Sequence, residues 1–139
     1  MHGRVKWVEG GAFLAESGSG HALVVDGPPE VGGRNLGPRP MELLLLAVGS
    51  CSAVDVVLIL KKARQPVTDV QVELKAERAD TDPKVFTAIH LNFIVSGKGL
   101  GASHVERAVT LSAEKYCSAS IMAGRAGAKV THGFEIREA

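Results

Sequence analysis

The chain has 139 residues, 45% of them hydrophobic and 22% charged, with a formal net charge of +1. That length and apolar content suit one domain with a real core, residues 1–139, and exclude a disordered chain. Charges of both signs are interspersed and aromatics are only 4%, which excludes the concentrated positive field needed for nucleic acid or an anionic membrane, and a stacking platform for single strands.

Residues 3–8 alternate, with Val5 and Trp7 on one side and Arg4 and Lys6 on the other, and predict a strand. The opening Met1-His-Gly-Arg-Val-Lys-Trp lacks the apolar core and cleavage site of a signal peptide. A cytoplasmic protein with reduced thiols is therefore expected. Gly10-Gly11 is a turn, Ala12–Glu16 a second strand, Ser17-Gly-Ser-Gly20 a hairpin turn and His21–Asp26 a third strand. The breaker-rich stretch Gly27–Pro40 reads as a loop, either functional or a flexible connector.

Pro40 suits the first turn of a helix and Glu42 complements its dipole. The helix should run to about Ala63, with Lys61, Lys62 and Arg64 at its end and Pro66 stopping it. Its apolar run from Met41 to Leu60 approaches the ~20 residues that span a bilayer. Asp55 would be costly in lipid, so a core helix wrapped on most sides by protein is the better reading, with no membrane partner. Val70, Val72, Leu74 and Ala76 alternate with polar residues, as do Ile89, Leu91, Phe93 and Val95. With the turn Asp80–Pro83 between them they predict an antiparallel hairpin. Ser103-His-Val-Glu106 reads as a capping box before a helix with Val105, Ala108, Val109, Ser112 and Tyr116 on one side. Ser118 would cap a short helix through Met122, Gly124 and Gly127 would break it, and Ala128–Arg137 would be a closing strand. The order β-β-β-α-β-β-α-α-β, with strands in antiparallel groups, is an α+β pattern.

Gly97-Lys-Gly-Leu-Gly101 has the wrong spacing for a dinucleotide fingerprint, so no cofactor is expected, and the five histidines lack metal-ligand spacing. That leaves Cys51 and Cys117. Both are flanked by small residues, and two cysteines are too few for a disulfide scaffold. They are either a redox pair or two inert core residues. If Ser118–Met122 is helical, the Cys117 sulfur lies near a helix N-terminus, which favours thiolate. Gly49, Ser50, Ser52 and Ala53 thin the helix surface around Cys51, admitting either a partner helix or a small substrate.

Three features together resemble the OsmC/Ohr family of osmotically inducible and organic hydroperoxide resistance proteins. They are Pro40-Met-Glu-Leu-Leu-Leu-Leu-Ala-Val-Gly-Ser-Cys51, Lys115-Tyr-Cys117-Ser-Ala-Ser120 and the element order. The likeness spans nearly the whole chain and is nearest to a branch with Pro-Met-Glu-Leu-Leu-Leu before the helix cysteine. It implies an OsmC-like α+β fold, an intertwined homodimer whose strands wrap two central helices, and sites at the subunit interface. It also implies a mechanism. Cys51 would attack a small organic hydroperoxide as thiolate, Cys117 would resolve the sulfenic acid to a disulfide, and an external dithiol would restore both.

The family's peroxidases pair an arginine with a glutamate placed just after the proline before the helix. Here that position is Met41, and Glu42 follows. Nine residues at about 100° each put Glu42 on the side of the helix opposite Cys51. Arg34 and Arg39 are the remaining candidate cations. Asp55, on the Cys51 face, would raise the thiol's pKa, or else bond to an arginine or to the partner subunit. The alternative function is a non-peroxidatic relative that binds a small apolar ligand or senses redox state at the interface.

Overall fold

The computed structural model describes residues 1–139. The chain divides into two compact units, Met1–Leu44 and Leu45–Ala139. The first is a three-stranded antiparallel sheet in the order β1 (Gly3–Glu9), β2 (Ala12–Ser17), β3 (Ala22–Asp26). Its registers pair Gly3 with Ser17 and Ala12 with Asp26. β1 is exposed along its whole length, Val5 and Trp7 included.

The glycine- and proline-rich loop that follows is fastened to this sheet. The Asp26 carboxylate accepts backbone N–H bonds from Arg34 (2.9 Å) and Leu36 (3.2 Å), and the Asp26 N–H donates to the Pro38 carbonyl (3.1 Å). The Arg34 and Leu36 amides hold the Asp26 carboxyl below its ordinary pKa against the opposing effect of burial. A Cβ on Gly33 would overlap the Gly27 carbonyl, so the loop folds back on itself as closely as backbone allows.

Helix α1 spans Pro40–Lys62. Proline occupies its first position, where the missing N–H is no loss. The Leu43 N–H reaches the Arg39 carbonyl (3.1 Å), and Glu42 Oε1 accepts the Arg39 N–H (2.9 Å), half of a capping box. At the other end Arg64 adopts a left-handed φ of 56°, and Pro66 follows.

In the second unit β4 (Val67–Arg78), β5 (Phe86–Gly97) and β6 (Lys129–Arg137) form a sheet with β5 central. β4 and β5 make the expected hairpin, with Leu74 opposite Leu91. β6 departs from the antiparallel pattern: it runs parallel to β5. The intervening chain, α2 (Ala102–Leu111), a π turn (Ser112–Tyr116) and α3 (Ser118–Arg125), is long enough for the crossover that parallel pairing requires. The core gathers Val48, Val56 and Leu60 of α1, Ile89, Leu91, Phe93 and Val95 of β5, and Val105, Ala108 and Val109 of α2. Gly49 permits the close approach of α1 to β4, since a Cβ there would lie 2.6 Å from Leu74 Cδ1.

α1 is long and apolar enough by length and composition to cross a membrane (mean hydropathy 2.5). Within the chain only one stripe of it is buried, Val48, Gly49, Ser52, Val56 and Leu60. Val54 and Leu58, on the other side, are exposed.

The capping box at Ser103 does not form. α2 begins two residues earlier, with Gly101 as its N-cap and no side-chain bond. The Gln65 side chain accepts the Gly101 N–H at 2.8 Å and fixes the chain's entry there. Tyr116, expected on the buried side, is half exposed because the π turn rotates it off the α2 face.

Phe93 is 2% exposed at the centre of this core. Phe93→Ala should lower the unfolding free energy by about 3–5 kcal/mol, measured by urea denaturation. A loss below ~1 kcal/mol would contradict the packing described.

Candidate functional site

The C-terminal side of the π turn delivers Cys117 to the start of α3. The Cys117 N–H bonds to the Ser112 carbonyl at 2.8 Å, a five-residue step, and Cys117 leaves the helical conformation at φ −77°, ψ 96°. It thereby becomes the N-cap of α3, and its sulfur accepts the Ser120 N–H at 3.4 Å. The sulfur thus takes a place usually held by a serine, threonine, aspartate or asparagine oxygen. The expected cap, Ser118, is instead the first helical residue, and the helix continues through Gly124 to Arg125.

α1 supplies the other wall. The Ser52 hydroxyl, 2% exposed, donates to the Cys117 sulfur at 3.1 Å. Cys51, the residue before it, is half-buried, while Cys117 is sealed from solvent. The two thiols lie close enough for each to shift the other's ionisation, and the Ala119 N–H favours the charged form of Cys51. The first free N–H groups of α3 therefore act on both sulfurs, Ser120 by its bond to Cys117 and Ala119 by favouring charge on Cys51. Such groups lack helical partners and carry the positive end of the dipole.

The surroundings push the two thiols apart. The Ala119 N–H favours the Cys51 thiolate, but burial, the Cys117 sulfur and the Asp55 carboxylate together outweigh it, so the Cys51 thiol is pushed up. Burial opposes charge on Cys117 as well. There the bonds from Ser120, Ser52 and Cys51 prevail and bring the thiol down. Asp55 raises Cys51 as its place on the helix implies, and within the chain its carboxylate accepts a bond from the buried Ser112 hydroxyl, to Oδ2 at 3.0 Å, rather than pairing with an arginine.

The other candidates belong to the unit Met1–Leu44, where each has its own partner or setting. Arg34 forms an exposed ion pair with Glu9. The Arg39 backbone and Glu42 cap α1 together, and Met41 is half-buried in the first turn of that helix. The strongest influences on both sulfurs come from Leu45–Ala139 itself. No group of three or more His, Cys, Asp or Glu side chains gathers as a metal site would require. Beside Asp55, a groove of about 380 Å³ is lined by Leu58, Lys62, Arg107, Leu111 and Tyr116.

The sequence alone does not mark Ser52, Ala119 or Ser120 as neighbours of the sulfurs. The available signal was Cys117-Ser-Ala-Ser120, an N-cap and N3 spacing with sulfur in place of oxygen.

The family model for OsmC-like proteins matches residues 32–133. The chain belongs to the OsmC-like family. It is 50% identical over 136 residues to the protein YhfA of Escherichia coli strain K12, covering 98% of each. A hypothetical protein from Aquifex aeolicus VF5 shares the fold with a TM-score of 0.85 and 32% identity, over 99% of this chain and 96% of that one. An organic hydroperoxide resistance protein OsmC from Legionella pneumophila superposes with a TM-score of 0.67 at 20% identity, over 97% of each chain. At that identity the likeness establishes the fold alone.

The difference in burial has a direct readout. In the native reduced protein, N-ethylmaleimide should modify Cys51 while Cys117 stays protected until the protein is unfolded in urea. Peptide mass spectrometry after a brief pulse reads both positions, and equal labelling would contradict the burial of Cys117.

Proposed function

We propose that this OsmC-like protein reduces small organic hydroperoxides with its cysteine pair, as part of oxidative and osmotic stress defence. The observation that carries the reading is the contact between two thiols of unlike accessibility, one open to a substrate and one enclosed. An accessible sulfur can be oxidised first, and an enclosed neighbour can reach it before a second oxidant does. Membership of the OsmC-like family supports the same chemistry, as does the name of the Legionella protein that shares the fold, an organic hydroperoxide resistance protein.

Cys51 is the attacking sulfur. Its thiolate adds to the distal peroxide oxygen, the O–O bond breaks, and the alcohol leaves after taking a proton. Cys51 becomes a sulfenic acid, oxidised by two electrons. The Cys117 thiolate then attacks the Cys51 sulfur, hydroxide leaves as water, and the disulfide forms. An external dithiol reduces it by exchange. In this reading the α3 amides favour negative charge on the sulfur pair as a whole, where the family's peroxidases use an arginine, and neither Arg34 nor Arg39 is required. The groove beside Asp55 offers apolar surface for the substrate's organic part. A dithiol reductant fits a reducing compartment, and the cytoplasm is the location this reading expects.

The reading includes a homodimer. Val54 and Leu58 present exposed apolar surface on α1, and Val5, Trp7 and Val8 do the same on β1. Apolar surface of this kind marks association sites.

A second reading has one observation in its favour: the Cys51 thiol is pushed up rather than down. A redox sensor, or a protein that binds a small apolar ligand in the groove, tolerates a sluggish thiol.

Cumene hydroperoxide with a dithiol reductant separates the two. Catalytic consumption at neutral pH, reduced at least a hundredfold in Cys51→Ser, is the expected result. Thiol loss no faster than that of free cysteine would contradict it. Sedimentation equilibrium should give twice the chain mass, and a stable monomer would contradict the dimer.

A further inference from the structure

The hydrogen-bond pattern around the two sulfurs is uneven in a way that a purely resolving role for Cys117 does not require. The Cys117 sulfur receives the Ser52 hydroxyl at 3.1 Å and the Ser120 N–H at 3.4 Å, and it also interacts with the Cys51 thiol. A protonated Cys117 would find its own acceptor in the Val48 carbonyl at 3.9 Å, a long bond. Donors converging on a sulfur with one distant acceptor make a site for an anion. Cys51 has the opposite setting, one amide in its favour and the Asp55 carboxylate against it.

We propose that Cys117 carries the pair's negative charge at rest and withdraws the Cys51 proton as Cys51 attacks the peroxide, so that it serves first as base and then as resolving thiol. Ser52 is the positioning residue whose hydroxyl holds Cys117 in that state. The inference rests on the hydroperoxide reading above and adds the order of proton transfers to it.

The steps balance. At rest the pair holds one proton, on Cys51. As the Cys51 sulfur bonds to the distal oxygen, that proton passes to Cys117, the O–O bond breaks, and the Cys51 sulfur loses two electrons to the departing alkoxide. Cys117 returns the proton to the alkoxide, which leaves as alcohol. The restored Cys117 thiolate attacks the Cys51 sulfenic acid, and the expelled hydroxide takes a proton from solvent. The external dithiol later supplies the two electrons that reopen the disulfide.

The titratable groups facing the pair are the two thiols themselves and Asp55, which acts on Cys51. Asp55 repels charge from Cys51 and so helps leave it on Cys117. A Cys117 lowered from the ordinary thiol value ionises first as pH rises, and a raised Cys51 ionises after it.

Ultraviolet absorbance of thiolate, followed against pH in the reduced protein, tests the assignment. The lower-pH step should persist in Cys51→Ser, disappear in Cys117→Ser and move to higher pH in Ser52→Ala. Persistence in Cys117→Ser with loss in Cys51→Ser would overturn the proposal, as would an unmoved step in Ser52→Ala, a substitution that removes only one hydroxyl. Single-turnover formation of the Cys51 sulfenic acid, trapped with dimedone at neutral pH, gives a second readout. In Cys117→Ala it should slow by about a hundredfold, the lower end of general-base contributions. An unchanged rate would overturn the base role and leave the hydroperoxide reading standing. Failure of wild-type Cys51 to oxidise faster than free cysteine would overturn that reading itself.

Discussion

The first turn of α3 is the interaction on which the rest depends. Its Ser120 N–H bonds to the Cys117 sulfur and its Ala119 N–H favours charge on Cys51, a sulfur 66 positions away in sequence. A helix N-terminus is a fixed source of positive potential that needs no side-chain cation. Here it is shared between two acceptors, and the remaining donors decide which of them keeps the charge. Ser52 gives that advantage to Cys117.

Much of the second unit can be read as support for that turn. The π turn sets Cys117 at the N-cap instead of leaving it inside a continuous helix, and π turns concentrate where a chain must redirect a side chain. Ser112, at the start of the π turn, is tied to Asp55 of α1, so one bond both anchors the turn and keeps a carboxylate near Cys51. Gly49, one turn from Ser52, lets α1 lie close to β4. The outcome is an enclosed sulfur beside a reachable one, the asymmetry that oxidation followed by resolution needs.

The sequence patterns disclosed the architecture better than the chemistry. Period-two alternation revealed the β4–β5 hairpin because half-buried strands display it, and Pro40, Glu42 and Pro66 bounded α1 through local backbone chemistry. The parallel course of β6 left no local mark, since pairing direction is decided by a crossover and not by the strand's own residues. At α3 the cap was misplaced by one residue, because a serine is the usual cap and cysteine seldom fills that role. The capping box at Ser103 was displaced by a distant contact, the Gln65 side chain on Gly101. Asp55's effect on Cys51 was legible from a four-residue spacing along one helix. Ser52's contact with Cys117 was not, because it depends on how α1 and α3 pack across 65 residues of chain.

Peptide mapping of protein oxidised by one equivalent of organic hydroperoxide is the most direct check. The account predicts a single disulfide joining the Cys51 and Cys117 peptides of the same chain, reopened by dithiol. Cys51 driven to sulfinic acid with Cys117 still a free thiol would contradict it, because sulfurs arranged as described would meet before a second oxidant arrived.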